Sequence, residues 1–193
     1  MKPITNWENR YREGNTGWDI GYPSTPLKAY FDQLEDKSLR ILIPGCGNAY
    51  EASYLFNNGF KNVSLLDIAA LPLTRFAHQH SSFPPQQLMQ TNFFNHTEQY
   101  DLIVEQTFFC AIAPTDRAAY AKKVFDLLRP KGKLVGLLWA QEMNVDSPPF
   151  GGNKSEYKRY FDPYFHYLHF DLAYNSIKPR KNKELFILAQ KKS

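Results

Sequence analysis

The chain has 193 residues, long enough for one domain to bury a sizeable core without staples. Hydrophobic residues at 43% and charged residues at 22% exclude a disordered chain, and two cysteines, Cys46 and Cys110, exclude a disulfide framework. The net charge of +4 is local: residues 151–193 hold 9 Lys/Arg against 4 Asp/Glu while residues 1–150 hold 14 against 15, so no basic surface for nucleic acid is expected.

The opening residues, "MKPITNWENRYREG", have no apolar stretch, so no signal peptide is expected there. No run reaches the length of a membrane span, and the expected setting is a monomer in the reducing cytoplasm. "STPLKAYFDQL" places Leu27, Tyr30, Phe31 and Leu34 at helical spacing behind Pro26. "LRILIP" reads as a buried strand, "NAYEASYLFNNGF" as a helix stopped by Asn-Gly, and "NVSLLDI" as a second strand. A helix over "LPLTRFAHQH" and a strand in "QLMQTNFF" follow.

"YDLIVEQTFFCAI" is a fourth strand running into a loop. "PTDRAAYAKKVFDLLRPKG" is a helix opened by Pro114 and Asp116 and closed by "RPKG", and "GKLVGLLWA" is a fifth strand. "QEMNVDSPPFGG" is a Pro/Gly loop and "KSEYKRYFDPYF" a short helix. "YLHFDLAYNS" and "ELFILAQK" form a closing antiparallel pair around a basic loop, Lys178, Arg180, Lys181 and Lys183, which reads as solvated. Alternating strands and helices predict one α/β domain over residues 1–193, doubly wound and mostly parallel, with an antiparallel final strand. Ligands of such sheets gather beyond the carboxyl ends of the strands.

The first strand ends in Pro44-Gly45-Cys46-Gly47-Asn48. A dinucleotide fingerprint needs a third glycine where Tyr50 stands, and a phosphate loop needs a Gly-Lys-Ser/Thr that is missing. Asp67, twenty residues after Gly47, ends the second strand and suits a ribose diol. Asn92 and Phe93 end the third, where an amide can pair with adenine and a ring can cover it. Each of these also has a structural explanation taken singly; together they favour a ligand with adenosine but no phosphates.

The segments "WENRYREGNTGWDIGYPSTPL", "LIPGCGNAYEA", "LLDIA", "YDLIVEQTFFCAIAP" and "SPPFGG" resemble the thiopurine methyltransferase family, and within it the plant halide/thiol methyltransferases. The resemblance runs from about Trp7 to the last strand and implies the class I methyltransferase fold with S-adenosyl-L-methionine as cofactor and S-adenosyl-L-homocysteine as product. It puts Trp7, Tyr11 and Trp18 on an arm, residues 1–23, that closes over the cofactor. It also puts Gly45 at the methionine part, Asp67 at the ribose, Asn92 and Phe93 at the adenine, and Gln106 near the transferred methyl. Tyr11 stands where the plant enzymes carry Trp; Gln106 stands where they carry Tyr and bacterial thiopurine-type enzymes carry Arg.

Independently of the family, three aromatics within twelve residues of a polar N-terminus suit a sulfonium, because aromatic faces attract cations by ~0.5–2 kcal/mol each. Methyl transfer from a sulfonium needs alignment and dryness more than a base. The expected substrate walls are Phe109, Cys110, Trp139 and Phe150, and the expected partner is a small soft nucleophile, a thiol, hydrosulfide or halide. Cys110, beside two phenylalanines, reads as a buried thiol. His166 and His169, three apart on a strand, do not share a face and give no metal site. A dinucleotide-dependent oxidoreductase and a nucleic-acid-binding protein on the same fold are the alternatives.

Overall fold

Apolar runs bounded by Gly, Asn and Pro become strands buried on both faces. In the structure, a computed structural model, residues 5–193 are described, so the first four residues of the expected arm lie outside it. β1 (Ile41–Pro44), β2 (Val63–Asp67), β3 (Leu88–Gln90), β4 (Tyr100–Gln106) and β5 (Leu128–Trp139) pair in parallel. β6 (Phe165–Leu172) and β7 (Glu184–Lys191) complete a seven-stranded sheet of order β3-β2-β1-β4-β5-β7-β6, in which β7 runs antiparallel to both its neighbours. This is the doubly wound, mostly parallel α/β sheet with an antiparallel final strand.

The period of two along β1 sorts its side chains to opposite faces. Ile41 and Ile43 join Leu65, Val104 and the inner sides of α2 (Thr25–Phe31), α3 (Tyr50–Asn57) and α4 (Ala70–Gln79). Leu42 joins Ile103, Leu134 and the aromatic faces of α5 (Arg117–Leu127) and α6 (Lys154–Phe161). Each such buried aliphatic side chain contributes ~1.5–3 kcal/mol. Strand order reverses between β1 and β4, and that reversal opens the crevice where the site lies.

Three local expectations change. Trp7–Arg12 forms a helix, α1, whose cap is Asn6: its Oδ1 accepts from the N–H of Asn9 at 3.0 Å. Asp116 makes no cap bond; it sits in a 3-10 turn and the helix proper begins at Arg117. "RPKG" does not close α5 but belongs to β5: Tyr100 pairs with Leu128 and Leu102 with Lys133, so residues 129–132 bulge out, with Lys131 at φ 65°.

Candidate active site

The turn after β1 is built from left-handed residues, Gly45 at φ 57° and Gly47 at φ 52°. A Cβ on Gly45 would collide with the ring of Phe108, and one on Gly47 would stand 2.8 Å from the hydroxyl of Tyr11. The glycines are therefore needed by the aromatics that close over the turn. Asp67, at the end of β2, ties the turn down: its Oδ2 accepts from the N–H of Gly47 at 3.0 Å and its Oδ1 from the N–H of Ala69 at 2.9 Å. Burial raises this carboxyl, and the N–H donors of Ala69 and Gly47 oppose the rise. With one bond on each oxygen, a second lone pair on each is available to a ligand.

The arm lies against this floor. Trp18 meets Trp7 and Tyr11 edge to face at 5.6 and 5.7 Å, and the Arg10 guanidinium stands 4.6 Å from the Trp18 ring. Tyr11 is buried, which pushes its phenol well above the usual range. Three polar ties hold the arm. Glu8 Oε2 accepts from the N–H groups of Ala70 (2.8 Å) and Leu71 (3.1 Å), giving α4 the cap that Ala69 cannot. Asp19 accepts from Asn48 and Tyr50, and the carbonyl of Trp18 accepts from Arg180 Nη2 at 2.6 Å.

At the end of β4 the buried carboxylate of Glu105 turns the chain. Oε1 accepts from the N–H of Phe108 and of Phe109, both at 2.8 Å, and Oε2 from the hydroxyl of Tyr120 at 2.6 Å. Between them Thr107 adopts φ 57°, which a β-branched residue rarely does. The strand's alternation is broken there, so Phe108 swings over Gly45 while Phe109 goes into the core against Tyr120, Tyr157 and Phe161. The Cys110 thiol bonds to the carbonyl of Thr107 at 3.1 Å, and burial, with the charge of Glu105, pushes it up to about 12. It stays a thiol.

These parts enclose one cavity of about 1000 Å³. Trp7, Tyr11, Trp18, Gly45, Asp67, Asn92 and Phe93 border it, as do Cys110, Trp139 and Phe150 across from them. Two expected residues do not. Phe109 is sealed in the core, and its place on the wall is taken by Phe108. Gln106 shares the face of Leu102 and Val104, which turns its side chain away from the cavity wall; its Oε1 is buried without a partner. Asn92 borders the cavity but uses its Oδ1 to cap the N–H of Phe94 at 2.9 Å, leaving its amide N–H donors for a ligand.

Sequence reasoning missed Arg180, read as part of a solvated loop. Its side chain is 7% exposed, pairs with Glu184 at 3.1 Å, stands 5.3 Å from the Trp139 ring and borders the cavity. It missed Arg117 too, buried under the Pro-Pro loop, bonded to Glu156 (2.9 Å) and to the carbonyls of Phe150 and Gly151. No spacing rule marks either, because the partners of Arg117 and the Trp18 carbonyl lie far off in sequence.

The profile of the thiopurine S-methyltransferase family matches residues 3–191. The chain belongs to that family. It is 33% identical over 165 residues to "Probable thiol methyltransferase 2" of Arabidopsis thaliana, covering 81% of this chain and 71% of that one. It is 31% identical over 185 residues to "Thiocyanate methyltransferase 1" of the same plant, covering 92% and 81%. Against "Thiopurine S-methyltransferase" of Vibrio cholerae the identity is 27% over 179 residues, 83% of this chain and 82% of that one. Among solved structures, the fold matches the Burkholderia thailandensis 1,6-didemethyltoxoflavin-N1-methyltransferase with a TM-score of 0.78 at 14% identity, covering 96% and 85%. This member of the thiopurine S-methyltransferase family is an S-adenosylmethionine-dependent methyltransferase.

Proposed function

We propose that the cavity between the arm and the strand ends is where S-adenosylmethionine and a small soft nucleophile meet. The residues fit the cofactor: Asp67 keeps an acceptor lone pair on each oxygen for a ribose diol, and Gly45 borders the cavity beside it. Asn92 and Phe93 offer an amide and a ring for adenine, and Trp7, Tyr11 and Trp18 supply faces for a cation. When bound, S-adenosylmethionine supplies a methyl group on a positive sulfur, an electrophile already activated.

The observation that carries the substrate reading is the opposite wall. Phe108, Cys110, Trp139, Pro148, Pro149 and Phe150 are apolar or aromatic, and the buried guanidinium of Arg180 stands beside Trp139. A strongly hydrated carboxylate or phosphate loses too much solvation on such a wall, whereas a thiolate, hydrosulfide, thiocyanate or iodide loses little. Arg180 adds attraction for an anion, tempered by its pairing with Glu184. The chain's task is to hold the nucleophile in line and exclude water. No base is needed for the purpose: Glu105 is closed off by Phe108, Phe109 and Tyr120, and a thiol with an ordinary pKa of ~8.5 supplies thiolate unaided.

Thiols rank ahead of halides, in keeping with the thiol and thiocyanate enzymes among the relatives. A methyl-transfer assay across hydrosulfide, thiophenol, thiocyanate, iodide and a thiopurine tests this. A soft small nucleophile should be preferred; preference for the thiopurine, or for an oxygen or nitrogen nucleophile, overturns it.

A further inference from the structure

Glu105 is the buried acid that the mechanism above leaves unused. It lies on β4 beneath the cavity wall, its stem seated in the notch left by Gly136, where any Cβ would collide with it. Its three hydrogen bonds all go to the segment that makes the wall or to the helix behind it. That segment contains Thr107 in the left-handed region, a conformation that β-branched side chains resist. The conformation decides which phenylalanine faces the cavity and puts the Thr107 carbonyl under the Cys110 thiol.

We propose that Glu105 is a positioning residue for methyl transfer, whose ionised carboxylate holds Thr107 in its left-handed conformation and thereby sets Phe108 and Cys110 against the nucleophile. The assignment rests on the cavity being the methyl-transfer site. Charged acceptors make hydrogen bonds roughly twice as strong as neutral ones, so the wall is firmest when Glu105 is ionised. Burial raises this carboxyl to about 7, against the opposing bonds from Tyr120, Phe109 and Phe108. The titratable groups facing it are Tyr120 of α5 and Cys110 of the wall, both raised by burial and so uncharged at neutral pH. Arg117 of α5 is committed to Glu156, and from β5 it is the uncharged Gly136 that packs against the stem. Ionisation of Glu105 itself thus governs the wall across neutral pH, firm above about 7 and loosened below.

The test compares wild type with Glu105→Gln, which keeps the volume and an acceptor but cannot become charged. Methyl transfer to thiophenol is followed across pH, alongside calorimetry with S-adenosylhomocysteine. Ionisation of the thiol is common to both proteins and cancels in their ratio. The wild-type to variant ratio of kcat/KM should rise through pH of about 7, from near unity to roughly tenfold, with S-adenosylhomocysteine affinity little changed. Thr107→Gly, which removes the need for the hold, should make Glu105→Gln cost less in the double variant than in the single. A flat ratio, with the two substitutions multiplying, overturns the proposal.

Should Glu105→Gln fail to fold, Tyr120→Phe removes one bond to the ionised form and should move the acid limb of the wild-type profile upward in pH; an unmoved limb overturns it equally. If instead Asp67→Ala leaves S-adenosylhomocysteine affinity intact, the cavity reading itself has failed, whatever Glu105 does.

Discussion

Asp67→Ala separates the two tasks assigned to one carboxylate. In the free protein the carboxylate accepts from Gly47 and Ala69, so it is fixed and partly desolvated before any ligand arrives. A ribose diol would add bonds to a charged acceptor, each worth ~1.5–3 kcal/mol. Losing one such bond's worth of affinity weakens S-adenosylhomocysteine binding roughly 10–150-fold. The same substitution orphans two N–H groups, at ~1–3 kcal/mol each if water cannot reach them, so the protein should also unfold at lower urea. Asp67→Asn keeps one acceptor oxygen for the turn and should lose less on both counts. Calorimetry with S-adenosylhomocysteine, on protein shown folded by circular dichroism, measures the first effect apart from the second. A folded Asp67→Ala protein that binds within about twofold of wild type would refute the ribose assignment.

Glu8→Ala removes the cap that the arm lends to α4, at ~1 kcal/mol. Residues 5–20 should then exchange amide hydrogens faster and S-adenosylhomocysteine should bind about fivefold more weakly; unchanged protection would show that the arm does not depend on this tie. Gly45→Ala forces a side chain into a left-handed position at ~1–2 kcal/mol and drives it into the Phe108 ring. The urea midpoint and methyl transfer should both fall, and a variant with wild-type values for both would mean the turn relaxes freely.

The sheet was legible because buried parallel strands are continuous apolar runs and the helices between them carry their own stops, as at Asn58-Gly59. The border of the cavity beside these strands was legible too, since Gly45, Asp67, Asn92 and Phe93 stand at or just past the carboxyl ends of β1, β2 and β3. The wall was not. Counting along β4 by twos leads through Glu105 to Phe109, the wrong phenylalanine, because Thr107 leaves the pleat under the hold of Glu105, and nothing local announces a β-branched residue at positive φ. "RPKG" misled in a related way: Pro130 and Gly132 mark a break, but it is a bulge in β5 and not the end of α5.

Arg180 shows most clearly how a charge-rich loop hides a residue that borders the cavity, and its pairing allows the seating of the arm to be tested apart from stability. The guanidinium bonds Glu184 of β7 with one nitrogen and the Trp18 carbonyl of the arm with another, and Glu184 also accepts from Ser176 at 2.7 Å. Removing either charge alone leaves the other buried and unpaired, a loss of ~3–5 kcal/mol that would mask any effect on the arm. Replacing both, as Arg180→Met with Glu184→Met, removes the charges together and should leave stability within ~1–2 kcal/mol of wild type. The Trp18 carbonyl still loses its donor. The double variant should therefore melt near wild type yet show faster hydrogen exchange around Trp18 and weaker S-adenosylhomocysteine binding. If it matches wild type in exchange and affinity as well, the pair only fastens the loop to β7, and the arm is closed by its aromatics and by Glu8 and Asp19 alone.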